Sequence, residues 1–514
     1  MIMPATSFIR LTRNSFERLF DALADPARGE LTVIGLLVAY VATWSVYGTI
    51  AKSSQDTHFD MGEMFAWSHE VGLTTPTHPP LGAWLVRLWF AVMPAEPWSY
   101  YTFAIILATV ALWIVWRVCG IYLSAEKRAV GILLLTFVPF YNFHAFKFNA
   151  NTVQIPFWAA TTWCFLRSYE TRRAGWAILA GISAAAAMLG KYWAVFLLAG
   201  LACAVISDPR RGAYLRSAAP WLTVASGALA LAPHVASVAT HGFSTVHFAV
   251  TAHATTFAMA AVSEFGFIGG TLGFVAAPIV FAALVTQPTA TAIRDTLWPA
   301  DPERRFLVVA FAAPLILAML AGLVLRERIV SLWSMSAMTL LPAVLLSSPS
   351  LKVGRAAAVR LLALAIVFPM LMVAVSPVVA LVIHRKDLPD YQSHYRIIAE
   401  AVMRAWRART DAPLRIVGSY RNVVDGTAFY FPSKPFTYAI TDPARTPWVD
   451  EARIRRDGIA IVCPQQRKAC VRKMHDYAAR YGAKVEEVTL ARRFFGTFDT
   501  PVRYLIAIIP PAGP

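Results

Sequence analysis

LTVIGLLVAYVATWSVYGTI, residues 31–50, is an apolar stretch without a single charged side chain. An apolar segment of about 17–25 residues is long enough to cross the hydrocarbon core of a bilayer as one helix. Across all 514 residues, 57% are hydrophobic and only 15% are charged, with a mean hydropathy of +0.53. Soluble domains contain about 45–50% apolar and about 25% charged residues, so the composition indicates a membrane protein.

Ten further apolar stretches follow the first one. They centre on residues 100–118, 129–145, 152–167, 175–190, 192–206, 218–239, 265–285, 306–325, 329–348 and 357–383. Together they predict a polytopic α-helical membrane domain over residues 31–383, with about eleven transmembrane helices. The pair 175–190 and 192–206 could also form a single long helix. A polar outer loop, residues 52–98, follows the first span and carries amphipathic pieces at 62–70 and 81–92.

Lys and Arg are distributed unevenly among the predicted loops. With residues 1–30 placed in the cytoplasm as an amphipathic lead-in, the inner connections contain nineteen of these residues and the outer ones six. Cytoplasmic loops accumulate Lys and Arg, so we predict a multi-pass protein of the cell inner (cytoplasmic) membrane with its N-terminus in the cytoplasm. The bias also accounts for the net charge of +17. Because no basic run is interleaved with exposed aromatic residues, we expect no nucleic-acid partner.

The composition changes at residue 384, where the apolar spans end. Residues 384–514 combine short apolar runs, LRIVGSY, IAIVCP and YLIAIIP, with a helical pattern, ACVRKMHDYAARYG, which predicts a small α/β domain. An odd number of spans places this domain in the periplasm. There Cys463 and Cys470 could form a disulfide or remain free thiols, and the sequence leaves both open. RNVVDGTAFYFPSKP (421–435) offers aromatic residues for sugar stacking, although its spacing does not require that role.

Histidines and acids collect on the predicted outer side. None of the eleven histidines lies in a predicted cytoplasmic loop, and the first outer loop contains Asp56, Asp60, Glu63 and Glu70. Ionisable groups at membrane depth are costly, so such a cluster indicates a functional site. The alternative is that interfacial loops simply carry polar residues.

The segment DMGEMFAWSHEVGLTTPTHPPLGAWL, residues 60–85, contains the sharpest pattern. Asp60 and Glu63 are three residues apart and share one face if this piece is helical. A carboxylate at the outer surface can take a proton from an incoming hydroxyl, so both are candidate catalytic residues. His78, followed by two prolines, marks a turn of fixed geometry and is a candidate substrate-binding residue.

Other candidate substrate-binding residues come from four outer motifs. They are Lys147 and Asn151 in HAFKFNANT, Lys191 in MLGKYW, His241 and His247 in HGFSTVHFAVTAHA, and Arg326 and Arg328 in LRERIV. Cations near a carboxylate suit a reaction with an anionic leaving group such as phosphate. For Lys191 and the two arginines, the alternative is that long basic side chains extend to the membrane interface.

A divalent metal is a candidate cofactor. His58, Glu63 and His247 are the candidate ligands, because imidazole nitrogens and carboxylate oxygens bind such ions. No HxxxH helix or cysteine pair fixes a known coordination geometry, so the sequence leaves the metal open.

These motifs resemble those of GT-C class glycosyltransferases. An aspartate early in a long first outer loop, followed by WS and a PPL segment, is similar to the branch with protein O-mannosyltransferases, the lipid A aminoarabinose transferase and the rhizobial galacturonosyltransferases. Further similar segments follow in order: KFNANTVQIPFW (147–158), MLGKYW (188–193), PHVASVATHGFSTVHF (233–248), FGFIGGTLGFVAAP (265–278) and RERIVSLWSM (326–335). The match covers roughly residues 30–350, and the ordered set is more specific than any one motif.

The resemblance implies the GT-C fold and an inverting transfer of a sugar from a polyprenyl-phosphate donor. The acceptor would be a hydroxyl of a lipid A or lipopolysaccharide-type glycolipid, or of a protein, at the periplasmic face. Asp60 matches the family's catalytic aspartate, whereas Met61 and Asn151 stand where members often have a second acid. The alternatives are a lipid-linked glycan ligase and a non-enzymatic transporter or flippase. Span centres nearly free of charge, without a repeated half, favour interfacial chemistry over transport.

Overall fold

The computed structural model describes residues 5–70, 72–240 and 243–512, and the chain there is mainly α-helical. Its helices are α1 (Ala5–Ala24), α2 (Gly29–Ala51), α3 (Phe59–Ser68), α4 (Leu81–Phe90), α5 (Pro97–Tyr122), α6 (Ala125–Leu135), α7 (Ala150–Thr171), α8 (Ala174–Gly190), α9 (Ala194–Ser207), α10 (Arg211–Leu215), α11 (Ala219–Thr240), α12 (Ser244–Thr251), α13 (Phe257–Thr286), α14 (Ala290–Leu297), α15 (Pro302–Leu325), α16 (Leu341–Leu346), α17 (Arg355–His384), α18 (Tyr395–Arg407), α19 (Arg421–Ala428), α20 (Glu451–Asp457) and α21 (Lys468–Tyr481). Short 3-10 helices lie at Pro139–Tyr141, Ser331–Leu340, Pro389–Tyr391 and Pro443–Arg445.

Six helices of the described chain are long and apolar enough to cross a membrane: α2, α5, α11, α13, α15 and α17. The polytopic helical prediction is confirmed, but the count of eleven is not. The other five predicted spans fall on helices that are shorter or less apolar, including α8, α9 and the segment Ser331–Leu346. The break between α8 and α9 at Lys191 also shows that 175–206 is not one continuous helix.

Two of the predicted spans are interrupted within their apolar runs. The run 129–145 is covered only by the end of α6, which stops at Leu135 and is followed by the 3-10 turn Pro139–Tyr141. The run 329–348 begins as a 3-10 helix and becomes α-helical only at Leu341. Apolar length alone therefore overestimates how many segments form uninterrupted spanning helices.

The chain forms two compact units. The first comprises residues 1–45, 78–81 and 102–372, and the second comprises residues 46–77, 82–101 and 373–514. In the first unit, small residues bring helices together. A Cβ atom on Gly181 of α8 would lie 2.2 Å from the Thr223 carbonyl oxygen of α11, and one on Gly200 of α9 would lie 2.4 Å from the Pro314 ring of α15. Close backbone approach through small residues is typical of helix packing in membranes.

The second unit contains a five-stranded sheet and the helices of the first outer loop. The strands are β1 (Ile416–Ser419), β2 (Phe436–Ala439), β3 (Ile459–Pro464), β4 (Val485–Leu490), β5 (Arg493–Phe494), β6 (Thr497–Phe498) and β7 (Val502–Ile509). The sheet has the order β2-β1-β3-β7-β4, and β5 pairs with β6 in a separate ribbon. β1 is parallel to β2 and β3, whereas β7 is antiparallel to β3 and β4. The predicted α/β domain is confirmed.

Alternate residues of the central strands supply two apolar cores. Val417, Val462 and Ile506 pack in the core that includes α18 and α19, whereas Ile461 and Ala507 pack in the core that includes α21. Because both faces of the central strands are buried, IAIVCP is a continuous apolar run. A disulfide joins Cys463 of β3 to Cys470 in the first turn of α21, so the alternative of two free thiols is wrong for this fold.

Candidate active site

Helix α3 places the first of the predicted acids at its N-terminal end. His58 is the N-cap residue, and its Nδ1 accepts a hydrogen bond of 3.1 Å from the Asp60 backbone amide. The same nitrogen lies 3.5 Å from Asp60 Oδ1, and the Asp60 side chain is 20% exposed. The unpaired amides at a helix N-terminus favour negative charge, so this position stabilises an ionised Asp60. Asp60 is therefore an accessible carboxylate at a fixed position.

Glu63 lies one turn further along α3 and is enclosed. Its side chain is only 4% exposed, and its Oε1 accepts hydrogen bonds from Nε (3.1 Å) and Nη2 of Arg421, the first residue of α19. A charge-assisted pair of this kind compensates the cost of burying the carboxylate. Burial still raises the pKa of Glu63, against the opposing charge of Arg421. The two predicted acids thus have different environments.

Asp425 is a second buried acid beside the Arg421 guanidinium. Its Oδ2 lies 3.8 Å from Arg421 Nε, one helical turn along α19, and its side chain is 7% exposed. Burial and the nearby Glu63 raise the pKa of Asp425 well above its ordinary range, although Arg421 and Arg445 oppose the shift. Two enclosed carboxyl groups therefore lie beside the same guanidinium.

A small pocket opens beside these groups. It is lined by Glu63, Trp67, Pro76, Thr77, Arg421, Asp425, Ala439, Arg445 and Thr446, all from the second unit. Thr77 is 2% exposed, and its hydroxyl has no hydrogen-bond partner among the described residues. The pocket shows that Glu63 faces other side chains of its own unit, whereas Asp60 retains access from outside.

In the first unit, Lys191 and Asn151 come together at the break between α8 and α9. Lys191 Nζ donates a hydrogen bond of 2.6 Å to Asn151 Oδ1 and lies 4.5 Å from the centroid of the Trp333 ring. Asn151 is in the first turn of α7, whose N-cap Asn149 accepts from the Asn151 and Thr152 amides. Lys147 contributes its carbonyl oxygen, which accepts from the Thr152 hydroxyl at 2.9 Å. The first unit thus places a cation beside a helix N-terminus.

Arg328 approaches the same region through the segment that contains His253. The Arg328 amide donates to the His253 carbonyl at 2.8 Å, the Thr255 amide donates to the Arg326 carbonyl at 2.8 Å, and the His253 ring lies 4.9 Å from Trp333. Burial, Lys191 and Arg328 lower the pKa of His253. Lys191 and the His253 ring both lie against Trp333, and Arg328 is joined to His253 through the backbone; we call Lys191, His253 and Arg328 the electropositive cluster.

The remaining predicted residues are placed separately. His78 meets the Phe248 ring edge-on at 6.0 Å, His247 is exposed on α12, and Arg326 is exposed at the end of α15. His241 lies outside the described residues. Within residues 5–70, 72–240 and 243–512, the structure brings no three His, Cys, Asp or Glu side chains together as a metal site. The candidate ligands His58, Glu63 and His247 thus remain a prediction.

Sequence reasoning missed the contribution of the C-terminal domain. Arg421 and Asp425, four residues apart, face one side of α19, and their spacing was a visible signal within RNVVDGTAFYFPSKP. The aromatic residues of that segment do not present a sugar-stacking surface. Phe429 is 5% exposed and packs against Phe65, and Phe431 lies in the domain core.

The helical membrane unit and the C-terminal α/β domain together form a fold that is similar to that of known GT-C glycosyltransferases. Residues 77–236 match the sequence model of the dolichyl-phosphate-mannose-protein mannosyltransferase family. The structure is similar to crystal structures of ArnT from Cupriavidus metallidurans. For ArnT bound to undecaprenyl phosphate, the TM-score is 0.62 at 13% identity, covering 92% of this chain and 97% of that one. For the apo state of ArnT, the TM-score is 0.60 at 11% identity, covering 94% of this chain and 99% of that one. No curated protein matches the sequence significantly. The resemblance to GT-C enzymes is confirmed.

Proposed function

We propose that this protein is an inverting glycosyltransferase that moves a sugar from a polyprenyl-phosphate donor to a hydroxyl of a glycolipid of the lipid A or lipopolysaccharide type, or of a protein. The observation that carries the proposal is the contrast between Asp60 and Glu63. Asp60 is partly exposed at a helix N-terminus, whereas Glu63 is enclosed by Arg421. Only Asp60 is arranged to contact an incoming acceptor.

In the proposed reaction, Asp60 acts as the general base. The acceptor oxygen forms a bond to the anomeric carbon from the side opposite the phosphate, while the bond between that carbon and the phosphate oxygen breaks. The acceptor proton passes to Asp60 and then to water, and the bonding electrons leave with the polyprenyl phosphate. A correctly placed base is worth about 10²–10⁴-fold in rate. Glu63, paired with Arg421, supports α3 without contacting the substrate.

The electropositive cluster of the first unit would bind the phosphate of the carrier. Lys191 supplies an ammonium beside the N-terminus of α7, and Arg328 supplies a second cation; anions bind readily to such a combination. Asn151 holds Lys191 in place through its amide oxygen. His78, Lys147, His241, His247 and Arg326 are proposed to contribute to substrate binding around this cluster. Undecaprenyl phosphate in the ArnT crystal structure is consistent with a carrier of this chemical class.

We place the reaction on the periplasmic face of the inner membrane. The excess of Lys and Arg in the predicted inner loops supports this orientation, and so does the Cys463–Cys470 disulfide, because such bonds persist outside the reducing cytoplasm. A divalent cation stays part of the proposal, with the candidate ligands predicted from the sequence; Glu63 would have to give up its ion pair with Arg421 to bind it. Metal analysis of the purified protein, before and after chelation, tests that part.

The decisive experiment is mass spectrometry of envelope glycolipids, glycoproteins and polyprenyl-phosphate sugars from a deletion strain. The strain is complemented with wild type, with Asp60→Asn, or with Glu70→Gln as a matched acid of the same loop. We expect wild type and Glu70→Gln to restore the missing sugar, and Asp60→Asn to leave the donor accumulated. Near wild-type transfer by a folded, inserted Asp60→Asn protein contradicts the assignment. A deletion strain with an unchanged profile favours a transporter or flippase, and loss of a longer lipid-linked glycan favours a ligase.

A further inference from the structure

Helices α3 and α19 are in direct backbone contact. A Cβ atom on Gly62 would lie 2.1 Å from the Asp425 carbonyl oxygen and 2.9 Å from Gly426 Cα. On the far side of α19, a Cβ on Gly426 would lie 2.3 Å from the Tyr395 ring of α18. The helix that carries Asp60 and Glu63 therefore rests directly on the C-terminal domain, with glycine at both contact points.

Polar groups also hold the chain just before α3 and the middle of this helix. Asp56, which is 2% exposed, accepts hydrogen bonds from Arg492 Nη1 (2.9 Å) and the Arg396 amide (3.0 Å). The Thr57 amide donates to the Tyr430 hydroxyl at 2.8 Å. These bonds hold the residues just before α3, and the Arg421–Glu63 pair holds its middle. The C-terminal domain thus determines the position of the whole base-bearing helix.

We propose that Arg421 is a positioning residue for Asp60. This inference rests on the proposed function, because it assigns Asp60 as the base. Arg421 fixes Glu63 and thereby the rotation of α3, which carries Asp60 one turn earlier. Its charge also compensates that of the buried Glu63 carboxylate.

The first test measures transfer in membranes of the deletion strain for Arg421→Gln and Arg421→Lys. Arg480→Gln, in an exposed ion pair of the same domain, is the control. We expect Arg421→Gln to lower the initial rate at least about tenfold, because Glu63 loses its cation and α3 its fixed orientation. Arg421→Lys should recover part of the rate, and Arg480→Gln should stay near wild type.

The second test needs no substrate and therefore separates this inference from the proposed function. Thermal unfolding of the full chain in detergent is compared for the same variants at one pH. We expect Arg421→Gln to unfold at a lower temperature than wild type, because removing one partner of a buried ion pair leaves the other charge uncompensated. Arg421→Lys should recover part of this loss, and Arg480→Gln should change the Tm little.

Two results would overturn the inference. One is an Arg421→Gln variant with an unchanged rate of transfer. The other is an Arg421→Gln variant that unfolds at the same temperature as Arg480→Gln, because Glu63 would then not depend on the arginine. If Asp60→Asn retains turnover while the unfolding data agree with expectation, the proposed function fails and the support of α3 by Arg421 stands.

Discussion

Gly62 of α3 and Asp425 of α19 are in such close contact that no side chain fits between the two helices. The nearest atom to a Cβ on Gly62 would be the backbone oxygen of Asp425, which cannot move without shifting α19. Glycine is therefore required at position 62 for steric reasons, although its presence in the middle of a helix costs conformational entropy.

Gly62→Ala should separate the two helices. We expect a loss of about 1–3 kcal/mol in stability, typical of overpacking a fitted contact, together with reduced transfer. The measurement is Tm in detergent beside the complementation assay. Gly35→Ala in α2 is the control, because a Cβ there meets no atom within 4 Å. Equal Tm values for both variants would show that the α3–α19 contact is not tight in solution.

Lys191→Met should weaken recognition of the lipid phosphate. Losing one charge-assisted hydrogen bond costs about 1.5–3 kcal/mol, or roughly 10–100-fold in affinity. The measurement is the concentration of added polyprenyl phosphate that half-inhibits transfer, which we expect to rise by that factor. Lys352→Met, an exposed lysine of a predicted inner loop, controls for the loss of net charge. A Lys191→Met protein that is inhibited like Lys352→Met would remove Lys191 from the phosphate site.

Asp499→Asn should destabilise the C-terminal domain in a pH-dependent way. Burial raises the pKa of Asp499, but the hydrogen bond and charge of His394 lower it more, so the net value lies below its ordinary 3.8. His394 Nε2 lies 2.9 Å from Asp499 Oδ2, and its Nδ1 lies 2.8 Å from the Tyr504 hydroxyl. A depressed carboxyl pKa stabilises the fold above the unfolded value, and this contribution is lost as the pH falls through the folded value.

The measurement is therefore the Tm difference between wild type and Asp499→Asn across pH. We expect a difference that is present at pH 5 and shrinks below pH 4. Asp411→Asn, near an exposed turn of the same domain, should show no such dependence. A difference that persists unchanged at the lowest accessible pH would contradict the role of the Asp499 charge.

Cys463→Ser should lower stability by about 2–3 kcal/mol, because the disulfide closes a short loop between β3 and α21. It also tests the orientation of the domain. Thiol labelling of denatured, unreduced protein from freshly prepared membranes should modify Cys119, Cys164 and Cys203 only. Two additional labelled thiols, at Cys463 and Cys470, would indicate that the domain lies in a reducing compartment.

Much of the fold could be predicted because it depends on local pattern. The apolar runs at 31–50 and 306–325 correspond to α2 and α15, and the run IAIVCP corresponds to β3. The number of spanning helices could not be obtained in this way. Apolarity does not reveal that the run 329–348 starts as a 3-10 helix, since both conformations bury the same side chains.

Only part of the candidate site could be predicted from the sequence. Asp60 and Glu63 could be selected because they are close in the chain, and Lys191 because it interrupts an apolar stretch. Arg421 could not be connected to Glu63, since 358 residues separate them and no local period links them. The different burial of Asp60 and Glu63 also depends on this distant contact, so it could not be inferred from their spacing on one helix.

The long separation between Glu63 and Arg421 has a consequence for biosynthesis. At a translation rate of about 5–20 residues per second, the helix with Asp60 leaves the ribosome roughly 20–70 seconds before its arginine partner. During that interval the nascent membrane segments can insert, but the acids of α3 lack the surface on which they are positioned. A truncated or stalled chain would therefore carry the base without its support, which links the onset of sugar transfer to completed synthesis of the C-terminal domain.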